Sequence, residues 1–263
     1  MAVVERHAPG EFCWVELGTV DREGAKAFYA ELFGWTAKDS PISQTDFYTM
    51  FQLNGHDVAG MYVVPKDSAA AGTPPHWGVY VAVESADDAI DQAERLGGEI
   101  IAKPFDVFDV GRMGFFKDPT GAVLAVWQAY KHKGVGVRGE NGALCWSELA
   151  TRDTAKAAQF YSQLFGWGIK TESAAPMPYT QFVNQGQAIG GMLSMTEEWG
   201  DAPPHWVPYF LVADCRQSSA KAVELSGRLC VEPTNIPNIG TFAVIQDPHG
   251  AAFAIIEPAA VYR

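Results

Sequence analysis

An internal repeat constrains the fold of this 263-residue chain more than any other feature of its sequence. Residues 10–35 (GEFCWVELGTVDREGAKAFYAELFGW) align without a gap with residues 142–167 (GALCWSELATRDTAKAAQFYSQLFGW), and 14 of the 26 positions are identical. Two further matches follow in the same order: 73–83 (TPPHWGVYVAV) with 202–212 (APPHWVPYFLV), and 118–126 (DPTGAVLAV) with 247–255 (DPHGAAFAI). A period of about 130 residues is longer than a solenoid repeat, so we predict two copies of one domain.

A linker is expected between the two copies. The segment HKGVGVRGEN (132–141) is rich in glycine and charge, which is typical of a flexible connection. We therefore predict one domain over residues 1–131, the linker over 132–141 and a second domain over 142–263. The linker contains GVGVRG, which matches the letters of the dinucleotide-binding fingerprint. That fingerprint lies between a strand and a helix, whereas the ALCWSEL that follows here is typical of a strand, so no phosphate site is predicted.

Each domain is predicted to contain the same β-α-β-β-β unit twice, which makes the fold class α+β. In the first unit the strand FCWVEL precedes a helix over 21–33, because Asp21 can cap it, apolar residues recur with helical spacing and Gly34 can end it. The pair Asn54 and Gly55 is a hairpin signal between two later strands. The other predicted elements of the first domain are strands over 35–37, 47–53, 57–64, 76–83, 99–101, 106–117 and 122–128, and a helix over 85–96.

Four such units, paired into two domains, resemble the vicinal oxygen chelate superfamily, which contains glyoxalases, bleomycin-resistance proteins and extradiol dioxygenases. The resemblance covers the whole chain and is carried by AKAFYAELFGW, AAQFYSQLFGW, DPTGAVLAV and DPHGAAFAI. The tandem arrangement is similar to that of actinobacterial glyoxalase-like proteins, which are named as glyoxalases or as hydroxylases of antibiotic pathways. The resemblance implies that the two units of each domain form an eight-stranded cup, but a shared fold does not by itself imply a shared function.

In this superfamily the cup holds a divalent metal, whose His, Gln or Glu ligands come from the first and last strands of the units. Aligned on the repeated motifs, three of these positions fall on Trp14, Gly78 and Ala125 in the first domain and on Trp146, Val207 and Ala254 in the second. The fourth position does not align uniquely; its candidates are Ala59 or Met61, and Gly191 or Leu193. Such residues cannot hold a cation that requires carboxylate or imidazole ligands, so we predict no metal and no other cofactor.

One face of each sheet is expected to line the cup, because strand residues alternate between faces. The predicted lining is Trp14, Glu16, His76, Gly78, Ala125 and Trp127 in the first domain, with Met61 as a further candidate, and Trp146, Glu148, His205, Val207, Ala254 and Ile256 in the second. Large aromatic side chains beside small ones are typical of a slot for a flat, apolar ligand. The alternative is that Trp14 and Trp146 fill the cup as ordinary core residues.

Two carboxylates on this face need a partner, because a buried charge is costly when unpaired. If the first strands of the two units run antiparallel, Glu16 is expected beside His76 and, by the repeat, Glu148 beside His205. An imidazolium would then pair with each carboxylate, and its pKa would rise into the range useful for acid–base chemistry. Two readings stay open: the pairs clamp the units together, or they exchange protons with a bound ligand. Metal binding by Glu and His alone is a third reading, although two protein ligands make a weak site.

Composition narrows the choice of partner. The net charge of −12 and the lack of a Lys/Arg cluster argue against nucleic acid, and no apolar run approaches the roughly 18 residues of a membrane span. The four cysteines are scattered without a Cys-x-x-Cys pair, which favours free thiols in the cytoplasm. The predicted partner is a small molecule, aromatic or polyketide-like, bound by a monomer or a homodimer.

Two functional hypotheses follow from these observations. The first is a metal-free binding protein that holds a flat hydrophobic molecule, for sequestration, for resistance or as an accessory to a pathway. The second is an enzyme, either a glyoxalase-like lyase or isomerase or an antibiotic-pathway hydroxylase, in which the Glu–His pairs act as acid and base. The two hypotheses differ in whether those pairs carry out chemistry.

Overall fold

The computed structural model describes residues 2–70, 72–172 and 178–259, apart from the side chain of Glu172. Parts of the two predicted domains, residues 1 and 71 of the first and 173–177 and 260–263 of the second, lie outside the described residues. No helix in the described ranges is long and apolar enough to cross a membrane.

The first half of the chain contains nine strands and three helices within its described residues. In chain order these are β1 (Ala2–Val3), β2 (Phe12–Thr19), α1 (Arg22–Phe33), β3 (Thr36–Pro41), β4 (Phe47–Leu53), β5 (His56–Val63), α2 (Lys66–Ala70), β6 (His76–Ala82), α3 (Ala86–Arg95), β7 (Glu99–Val107), β8 (Gly111–Lys117) and β9 (Val123–Ala129).

The second half repeats this order. Its elements are β10 (Val137–Arg138), β11 (Leu144–Thr151), α4 (Thr154–Phe165), β12 (Gly168–Glu172), β13 (Tyr179–Asn184), β14 (Gln187–Ser194), a 3₁₀ turn (Glu197–Trp199), β15 (His205–Leu211), α5 (Cys215–Glu224), β16 (Arg228–Ile236), β17 (Gly240–Gln246) and β18 (Ala252–Pro258).

Helix boundaries follow the capping signals in the sequence. Asp21 accepts a hydrogen bond from Gly24 N at the start of α1, and Gly34 ends the helix in a left-handed conformation with φ 72°. Asp153 and Gly166 do the same for α4. The predicted helix over 21–33 is therefore confirmed. The predicted strand over 106–117 is wrong, because a turn over 108–110 interrupts it and separates β7 from β8.

Each half forms one eight-stranded mixed sheet, as predicted for an α+β fold. The order is β3-β4-β5-β2-β6-β9-β8-β7 in the first half and β12-β13-β14-β11-β15-β18-β17-β16 in the second. The first strands of the two units, β2 and β6, pair antiparallel at the centre, and each pairs in parallel with the last strand of its own unit. The sheets are open, with edges at β3 and β7 and at β12 and β16.

The two halves share one hydrophobic core. Helices of one half contact helices of the other, α1 with α5 and α3 with α4. Aromatic rings cross the boundary; the rings of Phe33 and Phe210 lie 5.2 Å apart. Reciprocal hydrogen bonds join the halves, since Trp35 Nε1 donates to Gly142 O (3.0 Å) and Trp167 Nε1 donates to Gly10 O (2.9 Å).

Residues 130–138, which include most of the predicted linker, form a packed strap rather than a free connection. Val135 N donates to Cys13 O (2.8 Å) and Gly136 N donates to Asp57 O (2.7 Å). Further along, β10 pairs antiparallel with β1. Val135 is almost completely buried. The glycines that suggest flexibility instead allow close approach, because a Cβ on Gly134 would lie 2.3 Å from Cys13 O.

Candidate functional site

The two faces of each sheet have different neighbours. Trp77 pairs with Leu17, and its indole nitrogen donates to Tyr29 of α1 (3.0 Å), so these side chains lie on the helix side. Glu16, one residue before Leu17, therefore lies on the opposite face, which we call the cup face. Gly60 and Gly78 are the strand partners of Glu16 and share its face.

Met61 does not line the cup. It pairs with Leu17 in the parallel ladder between β2 and β5, so it lies on the helix side, where it is completely buried in the core. The prediction that it contacts a ligand is wrong by one residue of register, and a shift of one residue moves a side chain to the other face.

A Trp–Tyr–Glu–Tyr cluster occupies the first cup. The two oxygens of Glu16 accept hydrogen bonds from the hydroxyls of Tyr48 (2.8 Å) and Tyr80 (2.7 Å). Trp14 Nε1 donates to the Tyr48 hydroxyl (3.3 Å). Trp14 is 3% exposed, so the reading of this residue as a core side chain fits the first cup.

The second cup repeats the cluster. Glu148 accepts hydrogen bonds from Tyr179 and Tyr209, both at 2.7 Å. Trp146 Nε1 donates to the Tyr179 hydroxyl (3.0 Å). Val207 is the strand partner of Glu148, at the place of Gly78 in the first cup. The duplicated cluster is therefore the common feature of the two cups.

Burial dominates the electrostatics of both carboxylates. It raises the pKa of Glu16, while hydrogen bonds from Tyr80 and Tyr48 and the charge of His76 oppose the rise. Burial likewise raises the pKa of Glu148, opposed by Tyr209 and Tyr179. The pKa of Tyr80 is raised well above its ordinary value, by burial and by the neighbouring Glu16. Each carboxyl therefore holds its proton more tightly than a solvated one does.

A glycine makes room for each cluster. A Cβ on Gly60 would lie 1.9 Å from the Tyr48 hydroxyl oxygen, and one on Gly191 would lie 1.8 Å from the Tyr179 hydroxyl oxygen. Since no side chain fits there, glycine at these two positions is what lets the tyrosines reach the carboxylates. Gly78 differs, because the nearest atoms to its Cβ would be 3.7 Å away.

The predicted Glu–His contacts are wrong. His76 pairs with Gly18 and His205 pairs with Ala150, two positions along the strand from each carboxylate. His76 Nδ1 lies 2.8 Å from Pro74 O, and its Nε2 lies 3.3 Å from the Tyr62 hydroxyl. The equivalent His205 Nδ1 lies 2.8 Å from Pro203 O. The antiparallel pairing on which the prediction depends is present, but its register is shifted by two residues, so tyrosines partner the glutamates.

The cups differ in how they are covered. In the first, Trp127 is 5% exposed, and its indole nitrogen donates to the carbonyl of the strap residue His132 (3.0 Å). In the second, Val207, Tyr209 and Ala254 form a small buried cluster. Four partly exposed side chains pack against that cluster: Trp146, Phe242, Val244 and Ile256. The second cup therefore leaves Trp146 and Ile256 partly exposed, whereas the first buries the equivalent Trp14 and Trp127.

The residues of the cups do not fit the family's metal. The aligned ligand positions in the central strands lie on the cup face but carry indole, methyl, isopropyl or hydrogen instead of a donor. The carboxylates of Glu16 and Glu148 already accept two hydroxyl hydrogen bonds each. Within the described ranges no group of three His, Cys, Asp or Glu side chains is placed to hold a metal.

Sequence reasoning missed the four tyrosines and Gly60, and it considered Gly191 only as a candidate metal-ligand position. The signal is present in the repeat itself, because Tyr48 aligns with Tyr179 in a shared Tyr-Thr pair and Tyr80 aligns with Tyr209 in the matched PPHW strands. The identical tyrosines at aligned positions of the two halves indicate that these residues matter. Only the strand pairing shows that their side chains converge on the glutamates.

Comparisons with known proteins agree on the family. A sequence model of the "Glyoxalase/Bleomycin resistance protein/Dioxygenase superfamily" matches residues 12–126 and 143–255. The chain is 38% identical over 248 residues to "Putative glyoxylase CFP32" of Mycobacterium tuberculosis, with 94% of each chain covered. It is 35% identical over 267 residues to "Anthracycline biosynthesis protein DnrV" of Streptomyces peucetius, with 96% of this chain and 94% of the relative covered.

Solved structures share the fold at low sequence identity. The Mn(II)-bound glyoxalase from Novosphingobium aromaticivorans superposes with a TM-score of 0.66 at 14% identity, covering 95% of this chain and 82% of the other. The 2,3-dioxygenase LapB from Pseudomonas sp. KL28 superposes with a TM-score of 0.63 at 12% identity, covering 100% of this chain and 96% of the other. At this identity the likeness extends to the fold alone.

Proposed function

This chain belongs to the glyoxalase/bleomycin resistance protein/dioxygenase superfamily, and we propose that it is a metal-independent member that binds a flat, hydrophobic small molecule on its second cup. The observation that carries the proposal is the partly exposed apolar group around Trp146. In the first cup the equivalent residue, Trp14, is buried. A solvent-facing apolar surface that surrounds a few polar groups is typical of a small-molecule site.

The second cup fits a planar ligand. Tyr209 and Glu148 are buried, and the partly exposed side chains around them include ring and branched aliphatic groups. Phe242 pairs with Ile256 across neighbouring strands, and both pack against the same buried cluster as Trp146. Rings and flat apolar surfaces pack favourably against such side chains, either stacked or edge-on.

The names of the relatives suggest which molecules to test. Two of them are named for anthracycline biosynthesis, and anthracyclines contain a planar fused-ring quinone. We therefore take planar aromatic polyketides as the ligand class. The absence of donor side chains at the aligned metal positions supports binding without a metal.

The test uses 1,4-dihydroxyanthraquinone as probe on the purified chain, before and after treatment with a chelator. Binding should raise the Tm in a dose-dependent manner and should not depend on the chelator, because a ligand that binds the folded state stabilises it. Elemental analysis should find no stoichiometric metal. Failure of the probe and of related planar aromatics to bind, or loss of binding on chelation, would contradict the proposal.

Paired variants locate the site. Phe242→Ala removes apolar contact from the second cup and should weaken binding about tenfold, the change that corresponds to roughly 1.4 kcal/mol. Met113→Ala is the matched control, because Met113 occupies the equivalent strand position in the first cup, paired with Trp127. Its affinity should equal that of the wild type.

Acid–base catalysis in the same cup is a second candidate, favoured by the raised pKa of the buried Glu148 carboxyl. In this reading Glu148 exchanges a proton with a bound carbonyl compound, and Tyr209 and Tyr179 orient its carboxyl group. Glu148→Gln distinguishes the two candidates. In both cases the variant should keep its affinity for the probe. Only an enzyme should also show turnover of a substrate in the wild type and lose that turnover in the variant.

A further inference from the structure

The strap places an aromatic ring inside the first cup. The imidazole of His132 lies edge-on to the Trp14 ring, with centroids 4.4 Å apart and an interplanar angle of 82°. It also meets the Trp127 ring at 5.7 Å and 71°. The side chain of His132 is only 15% exposed. One ring from outside the sheet thus packs against both tryptophans of the cup.

Packing and the strap backbone, rather than hydrogen bonds of its own ring, hold this imidazole. Among the residues that the structure describes, His132 Nε2 is buried without a hydrogen-bond partner. Its Nδ1 lies 4.0 Å from the carboxylate of Asp57, beyond hydrogen-bond distance. Burial lowers the pKa of His132, which favours the neutral ring. The imidazole therefore behaves as a neutral aromatic ring.

The residues that the strap covers in the first cup are more exposed at the equivalent positions of the second. Cys13 and Trp14 beneath the strap are buried, whereas the equivalent Cys145 is exposed and Trp146 is partly exposed. Within residues 2–70, 72–172 and 178–259, no aromatic ring packs on Trp146. The sheets and the polar clusters are otherwise alike.

We infer that His132 is a built-in ligand of the first cup, and that the position of its ring marks where an external planar ring binds in the second. The second part of this inference rests on the proposed function and refines it. The protein should bind one ligand per chain, at Trp146. The first cup is a filled copy of the same site.

The comparison also defines the chemistry of the ligand. The ring that it presents to Trp146 should be neutral and should meet the indole edge-on, as the imidazole does in the first cup. Trp127, whose N–H binds the strap carbonyl, is replaced by Ile256 in the second cup. The ligand should therefore turn an apolar edge, not a carbonyl, toward Ile256.

The first experiment tests the filled cup without any external ligand. His132→Phe keeps an aromatic ring and should retain most of the wild-type Tm. His132→Ala, which removes the ring, and His132→Asn, which keeps only a polar group, should each lower it by roughly 5 °C. Stability retained by Asn but not by Phe would show that His132 acts through hydrogen bonds and would overturn this part of the inference.

The second experiment counts ligands by calorimetric titration with 1,4-dihydroxyanthraquinone. Wild type and His132→Phe should bind one probe per chain, and His132→Ala should bind two, because the first cup becomes accessible. Two sites in the wild type, or no additional site in His132→Ala, would overturn the division between the cups. If no form binds the probe, the proposed function fails, and so does the inference about where an external ring binds in the second cup. The inference that the His132 ring fills the first cup is still decided by the stability of the three variants.

Discussion

At the scale of single residues, tyrosine hydroxyl groups supply the hydrogen bonds that the two buried glutamates would otherwise receive from water. Each oxygen of Glu148 accepts one tyrosine hydrogen bond of 2.7 Å, and the same arrangement surrounds Glu16. Hydrogen bonds to a charged group are worth about 1.5–3 kcal/mol each, but burial opposes ionisation at the same time. The balance leaves the pKa of both carboxyls raised, so the clusters are sensitive to pH.

Glu148→Gln should reveal this sensitivity. Because the folded pKa of Glu148 is raised, the stabilising contribution of its proton is fully present below the ordinary pKa of 4.5 and is lost as the pH rises through the folded pKa. Glutamine keeps the neutral form at every pH. The stability advantage of wild type over the variant should therefore shrink as the pH rises, by about 1.4 kcal/mol for each unit by which the folded pKa exceeds the unfolded one.

Urea unfolding between pH 4 and 8 measures this difference. Glu16→Gln should show the same sign, because burial raises the pKa of Glu16 as well. Glu84→Gln alters an exposed residue and should follow the wild type throughout. An advantage of wild type that grows with pH would mean that the ionised carboxylate is the stabilised form.

The cup glycines give a second prediction at this scale. Gly60→Ala and Gly191→Ala place a methyl group within 2 Å of a tyrosine hydroxyl oxygen, so the tyrosine must move away from its glutamate. Each change should lower the free energy of unfolding by about 1–3 kcal/mol. Gly78→Ala on the same face meets only ordinary contacts and serves as the control. Equal effects of all three variants would show that the tyrosine positions are not sterically fixed.

At the scale of elements, the closing turns of the units connect the two halves. Asp118 Oδ1 accepts backbone hydrogen bonds from Thr120, Gly121 and Ala122, which fixes the turn. Its Oδ2 accepts from Tyr161 of α4 in the other half (2.8 Å). The turn at Asp247 reaches Tyr29 of α1 in the same way (3.0 Å). The repeated motifs DPTG and DPHG thus hold the halves together as well as shaping local turns.

Tyr29→Phe and Tyr161→Phe should each cost about 2 kcal/mol of stability, because each removes a donor from a buried aspartate and an acceptor from a tryptophan indole. Tyr130→Phe is the control; its hydroxyl bonds Asp106 at the surface and should be worth less than about 0.5 kcal/mol. Urea unfolding at pH 7 measures all three. A cost confined to one half would contradict the reciprocal arrangement.

The sequence predicts local structure better than pairing at this scale. Caps and hairpins are local, so α1 begins after Asp21 and the Asn54–Gly55 turn joins β4 to β5. Register depends on contacts between distant residues, so Glu16 was expected beside His76 instead of Gly78. The short helix α2 carries no periodic pattern and buries no residue, which leaves no signal for sequence reasoning.

At the scale of the whole molecule, the repeat predicted two domains, and the sheets follow that division. The core does not. Phe33 of the first half packs against Phe210 and Phe253 of the second, within one cluster of buried residues that spans both sheets. The boundary between the repeats therefore predicts which residues form each sheet. It does not predict the packing, which joins the two halves through one core.

The chain should consequently unfold in one transition. Exposing either half alone would uncover the shared aromatic core and break both aspartate–tyrosine links at once, so a state with one half folded is strongly disfavoured. Urea curves followed by tryptophan fluorescence and by far-UV circular dichroism should coincide. Gly60→Ala and Gly191→Ala, one in each half, should shift the same transition, and their effects should add in the double variant, because their clusters lie in separate sheets. Two resolved transitions, with each substitution moving only one of them, would show that the halves are independent domains.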